Sequence, residues 1–90
     1  DRHIMNYFVY LLINTNTKRK ITYVGYTNNL TKRINLHNDG KGAKFTRGRN
    51  WKLIFFKKYD NKKTAMIEEY KYEEGLKQII LINKKFSNKT

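Results

Sequence analysis

The sequence predicts an α+β fold, a three-stranded antiparallel sheet flanked by helices in the order ββαβαα. Three observations carry this. Residues 7–13 (YFVYLLI) and 20–26 (KITYVGY) are aromatic and β-branched runs separated by the polar stretch Asn14-Thr15-Asn16-Thr17-Lys18-Arg19, the pattern of a hairpin. A third such run, Trp51 to Tyr59, follows a Gly-punctuated segment. Elsewhere the apolar residues switch to a helical period behind Asn or Asp.

In the hairpin, pairing Tyr10 with Tyr23 places the midpoint between Asn16 and Thr17, inside the turn-forming stretch, and puts both rings on one face. Asn28 or Asn29 can cap a helix over 29–38 whose buried stripe is Leu30 and Ile34. Residues 39–50 hold Gly40, Gly42, Gly48 and four basic groups, which is loop chemistry. Trp51 to Tyr59 is the third strand. Asp60 or Asn61 caps a second helix over 62–73, Gly75 interrupts it, and 76–83 forms a short third helix carrying Leu76, Ile79, Ile80 and Leu81. Residues 84–90 read as a basic tail, and Asp1-Arg2-His3-Ile4 ahead of Met5 as residue left over from expression. Residues 6–83 are therefore expected to form one domain.

An aromatic-Val-Tyr strand (Phe8-Val9-Tyr10), a Tyr23-Val24-Gly25 strand, then Gly25-Tyr26-Thr27-Asn28-Asn29-Leu30-Thr31-Lys32-Arg33 and His37-Asn38 closely resemble the GIY-YIG nuclease superfamily. The likeness is greatest to its small stand-alone bacterial members and to the nuclease domain of its structure-specific, branch-cutting members. The segment from Gly40 to Gly48 and the pair Ala65 and Glu69 also fit, so the resemblance spans residues 6 to about 82. Phe8 stands where the family name writes glycine, which touches the packing of the first strand and leaves the tyrosine in place.

Composition sets the partner class. Twenty Lys and Arg against seven Asp and Glu, a net charge of +13, point to a polyanion such as nucleic acid, although lysine-rich composition can also arise from an AT-rich genome. With no cysteine and two histidines, His3 and His37, thiolate sites and imidazole clusters are excluded. The apolar run 7–13 is too short for a membrane span and lacks a cleavage site after it, so a cytoplasmic protein is expected.

Arg33 and His37, four residues apart, share a face of the first helix. A guanidinium grips phosphate bidentately where an ammonium cannot, and Arg33 is one of five arginines in a chain that otherwise uses lysine. His37 either assists a tyrosine or caps the helix. Glu69 falls on the stripe with Ala65, Met66 and Tyr72, where an unpaired carboxylate is costly. An inward acid in a basic chain suggests a hard divalent cation, Mg²⁺ or Mn²⁺, with Glu68 as the fallback ligand. The resemblance implies the same roles: Arg33 as the essential helix arginine, Glu69 as the metal ligand, Tyr10 as the favoured base for the attacking water, and Tyr23 as the residue that positions water or phosphate. Tyr7, Tyr59 and Tyr70 read as core. Lys44, Arg47 and Arg49, with Phe45 between them as a stacking aromatic, look like a DNA backbone-contacting patch, and Tyr26, Lys32 and Lys41 are lesser candidates.

These readings converge on a divalent-metal-dependent endonuclease acting on single-stranded or branched DNA. A non-catalytic basic nucleic-acid-binding module, or a catalytic module that needs a protein partner for specificity, are the alternatives.

Overall fold

The computed structural model describes residues 6–16 and 18–87, those from 78 onward as helix backbone only. Along the chain come β1 (Tyr7–Asn14), β2 (Thr22–Thr27), α1 (Leu30–Asn38), a 3₁₀ turn (Lys44–Thr46), β3 (Trp51–Tyr59) and α2 (Lys62–Ser87). Both neighbours of β1 are antiparallel to it, giving the sheet order β2-β1-β3. The α+β class and the three-stranded antiparallel sheet are as expected. The most apolar strand is the central one because only there are both faces covered. Val9 packs with Val24 and with Ala65 of α2, while Tyr10 and Leu12 pack on the opposite face with Trp51 and with Leu30 and Ile34 of α1.

The hairpin register differs from the expected one by two residues. Tyr10 pairs with Gly25, and Tyr23 pairs with Leu12. A two-residue slip preserves the face of every side chain, so Tyr10 and Tyr23 still share a side, now as diagonal neighbours with ring centroids 6.4 Å apart. Two local causes fix the register. Asn14, fully buried, uses its side chain on the far arm of the turn: its amide donates to the Arg19 carbonyl (3.1 Å) and its oxygen accepts from the Ile21 amide. Gly25 is the second cause, since a Cβ there would lie 2.6 Å from Cζ of Tyr10. Only glycine lets the Tyr10 ring lie across β2.

β3 pairs with β1 in two registers, Leu11 with Phe55 and Leu12 with Leu53, leaving Ile54 as the bulged residue. The bulge sends Phe55 to the α2 side, where it meets Tyr72 at 5.7 Å, and returns Leu53 and Trp51 to the α1 side.

Asn29 caps α1, its side chain accepting from the Lys32 amide at 3.1 Å. Asn38 ties the other end of α1 to β3: it accepts from the Trp51 amide at 2.6 Å and donates to the Trp51 carbonyl at 3.2 Å. The break expected at Gly75 is absent. α2 is one continuous helix of 26 residues that takes in both expected helices and, as far as Ser87, the start of the expected tail. Glycine inside a helix costs only about 1 kcal/mol relative to alanine. Tyr72 and Leu76 on either side both pack on the sheet, which outweighs that cost. The expected leader at residues 1–4 lies outside the described residues.

Candidate active site

The α1 side of the sheet carries a buried polar chain. Tyr10 is 1% exposed, and its hydroxyl lies 2.8 Å from Nε2 of His37. Nδ1 of His37 lies 2.8 Å from the Thr46 hydroxyl, which donates to the Ala43 carbonyl at 2.8 Å. The single Thr46 proton is therefore committed, so Thr46 accepts from Nδ1–H. That network assigns the His37 tautomer and leaves Nε2 to accept from Tyr10. The Trp51 indole N–H donates to the Thr46 carbonyl at 2.9 Å and anchors the far end. Gly42 lies flat against the imidazole, where a Cβ would stand 3.0 Å from Cε1. The Gly-punctuated loop is thus shaped to hold His37.

Burial, helped by the charge on Arg33, lowers the His37 pKa to about 4. Burial also pushes the Tyr10 phenol up to about 12, with Tyr23 and Glu69 adding to the rise and Arg33 opposing it. The proton of the pair therefore rests on Tyr10. Both groups are neutral near pH 7. Arg33 brings a positive charge to Tyr10, yet desolvation overrides it there. His37 does not cap the helix with its ring; it is committed to Tyr10 and Thr46.

Tyr23 is only partly buried and sits on the same face, its ring 5.0 Å from His37. Its pKa is raised, first by burial and then by Glu69 and Glu73, while Arg33 again pulls it down. Arg33 therefore acts on both phenols. It makes no ion pair among the described residues. It also lines a polar cleft of about 400 Å³ with Tyr7, Tyr26, Asn28 and Lys62, which contains two cations and no acid. Lys62, not singled out from the sequence, reaches that cleft because it opens α2 directly after the third strand.

The two adjacent glutamates have different surroundings. Glu68 is paired with Lys71 at 3.1 Å. Glu69 has no such partner among the described residues and is half-buried, its carboxyl pushed upward by burial and by Glu73 one turn on. Ala65 and Tyr72 flank it on the packed face as expected, whereas Met66 is solvent-exposed. No group of three or more His, Cys, Asp or Glu side chains suited to a metal occurs among the described residues. A lone carboxylate without a cation, beside a second acid, fits a hard divalent ion that takes its remaining ligands from water and phosphate.

The basic loop is divided. Lys41, Lys44 and Arg47 are exposed, as is Lys32 on α1. Arg49 instead folds back, donating to the Phe45 carbonyl at 2.6 Å with its guanidinium 5.0 Å from the Phe45 ring centre. Tyr26 points away from the tyrosine pair toward the Arg33 cleft. Tyr70, read as core, is 63% exposed, whereas Tyr7 and Tyr59 pack against the core. Thr46 and Glu73 were not foreseen. The only sequence signal for Thr46 was a hydroxyl residue in a loop that Gly42 leaves open to the helix.

Tyr10 and Tyr23 on neighbouring strands, Arg33 on α1 and the half-buried Glu69 on α2 come close enough for both charged groups to act on both phenols. The chain belongs to the GIY-YIG family: the model described as the GIY-YIG catalytic domain matches residues 6–84. It is 44% identical over 69 residues to a UPF0213 protein of Oceanobacillus iheyensis, covering 76% of this chain and 77% of that one. A UPF0213 protein of Clostridium perfringens is 51% identical over 67 residues, covering 73% and 68%. UPF0213 protein YazA of Bacillus subtilis is 43% identical over 70 residues, covering 77% and 68%. No solved structure matches. The GIY-YIG nuclease domain supports endonuclease activity in general and implies a DNA substrate. Among the described residues no helix is long and apolar enough to cross a membrane.

Proposed function

We propose that residues 6–83 act as one domain that hydrolyses phosphodiester bonds in single-stranded or branched DNA with one Mg²⁺ or Mn²⁺ at Glu69. The observation that carries this reading is the Arg33 guanidinium, which has no ion-pair partner among the described residues, acts on both Tyr10 and Tyr23 and opens onto a cleft without an acid. A bound metal would polarise the scissile phosphate and stabilise the leaving oxygen. Arg33 grips the phosphate and offsets the charge that develops on it.

The buried phenol is not the one that meets water. The Tyr10 hydroxyl is already committed to His37 inside the fold, whereas Tyr23 is part-exposed beside Arg33. We therefore reverse the expected assignment. Tyr23 accepts the proton of the attacking water, and the Tyr10–His37–Thr46 chain positions the face on which it works. Lys41, Lys44, Arg47 and Lys32 contact the strand backbone. Phe45 offers a ring to a base, and Tyr26 borders the cleft that receives the phosphate.

A cleavage panel of single strands, duplexes, flaps and junctions, in Mg²⁺, Mn²⁺ and chelator, tests the reading. Metal-dependent nicking lost in Glu69→Gln supports it, and cleavage at the wild-type rate in Glu69→Gln contradicts it. One observation favours a protein partner as well: Ile54 and Phe56 on edge strand β3 and Met66, Ile67 and Tyr70 on α2 are exposed apolar groups.

A further inference from the structure

β2 is an edge strand, so its outer side is not covered by another strand. Tyr23 and Val24 point to opposite faces of it, yet both line one cavity of about 330 Å³, which therefore wraps the strand's open edge. Phe45 and Leu76 supply the remaining apolar wall, and Glu73 and Lys77 are its charged groups. Its volume is at the small end of ligand clefts, roughly 300–1,000 Å³, enough for one compact planar group. The Tyr23 and Phe45 rings are nearly parallel, 21° apart in tilt with centroids at 6.2 Å. Phe45 is 49% exposed, and Arg49 clamps it from its carbonyl and its ring face. A ring already held in place loses little freedom when a ligand stacks on it.

We propose that this cavity is a subsite for one unpaired nucleobase of the DNA strand, seated against Tyr23 and Phe45 beside the phosphate gripped by Arg33. The proposal rests on the phosphodiesterase reading for the position of that phosphate. Three features favour a base over an apolar peptide side chain. The cavity shares Tyr23 with the candidate site, and a base is covalently tied one sugar away from its phosphate. The chain carries a net charge of +13, which draws a polyanion to this surface. Exposed Lys44 immediately precedes Phe45 and can hold the backbone on which the base is borne. A base locked in a duplex has both faces stacked and cannot enter, so the subsite selects unpaired nucleotides. Glu73 refines the choice. A carboxylate only accepts, so it favours guanine, whose N1–H and N2–H₂ donate side by side, over thymine, whose single N3–H is flanked by two carbonyls.

The test uses the full chain and single-stranded oligonucleotides in chelator, so that binding is read without cleavage. An abasic site is moved along the strand one position at a time, and 2-aminopurine is placed at the same positions as a fluorescent base. At one position the abasic change should weaken wild-type binding about tenfold, with 2-aminopurine fluorescence shifting at that position alone. In Phe45→Ala that change should cost nothing further, and Phe45→Trp should restore it. Glu73→Gln should narrow the gap between guanine and thymine there. If no abasic position alters wild-type affinity by more than twofold, the cavity is not a base subsite. The proposal also fails if Phe45→Ala leaves DNA binding intact but abolishes self-association in sedimentation, which would make the cavity a protein contact. A chain that nicks DNA without the coupling loses only the subsite. A chain that shows the coupling without nicking keeps the subsite and loses the phosphodiesterase reading.

Discussion

The two sides of β1 are held by different physics. Toward α2, Val9, Val24 and Ala65 make an apolar contact with nothing to satisfy. Toward α1, Tyr10, His37 and Thr46 are all buried and polar, and each uses its hydrogen-bonding groups on the next. The first side tolerates changes that conserve volume. The second does not, because removing one partner strands another at a cost of about 1–3 kcal/mol. The difference separates the two tyrosines: Tyr10 is fixed inside the polar chain, and Tyr23, at its open rim, is the phenol to which the proposed function gives the chemistry.

The largest effect should come from Glu69, the proposed metal ligand. Glu69→Gln should lower the nicking rate by about 10²–10³-fold or more while gel-shift affinity is kept or increased, and Glu68→Gln, which loses only a surface pair with Lys71, should stay within about threefold of wild type. Equal losses in the two variants would remove the distinction drawn between these acids. Arg33→Ala should cost a similar factor and also raise the Tyr23 pKa, since the guanidinium now lowers it. That shift would be read in a tyrosinate absorbance titration.

Smaller effects separate the two sides of β1. Gly25→Ala puts a methyl group into the Tyr10 ring and should destabilise the fold by about 1–3 kcal/mol in urea melts. Ala65→Gly on the α2 side, with no hydrogen bond at stake, should cost about 1 kcal/mol. Acid should act through the polar side. His37 is neutral in the fold down to about pH 4 but protonates near 6.5 when unfolded, so the unfolded state binds the extra proton between these values. Stability should therefore be full above pH 6.5 and fall by up to about 3 kcal/mol by pH 4, and His37→Gln should flatten that slope. Smallest of all, Lys44→Ala and Arg47→Ala should each reduce the single-strand salt slope by about 0.7 without changing sequence preference. An unchanged slope would move the backbone contacts off this loop.

Much of the fold was legible because it rests on local pattern. Strand β3 follows from its aromatic and aliphatic run, and the cap of α1 from asparagine chemistry that admitted Asn28 or Asn29, of which Asn29 is the cap. The hairpin register was not, since it depends on Asn14 reaching across the turn and on the space above Gly25, which no periodicity reports. Nor was the continuity of α2 through Gly75, because tertiary packing there outweighs a propensity cost of about 1 kcal/mol. In the candidate site, Arg33, His37 and Glu69 could be named from spacing, as could the shared face of Tyr10 and Tyr23. Their division of labour could not, because it turns on burial: the sequence shows two phenols near one arginine, and only the fold shows which hydroxyl is already used.

The most direct measurement is the pH–rate profile of single-strand nicking for wild type, Tyr23→Phe and Tyr10→Phe, with circular dichroism on each. With Tyr23 as base and its pKa above 10, the wild-type rate should climb steadily through pH 9 with no plateau. Tyr23→Phe should lose about 10²–10⁴-fold and the alkaline rise with it. Tyr10→Phe should keep the rise and most of the rate, and lose about 1–3 kcal/mol of stability instead, as Nε2 of His37 is left without a donor. The reverse pattern, a flat profile and a large loss in Tyr10→Phe with Tyr23→Phe near wild type, would contradict the account and return the base to the buried tyrosine.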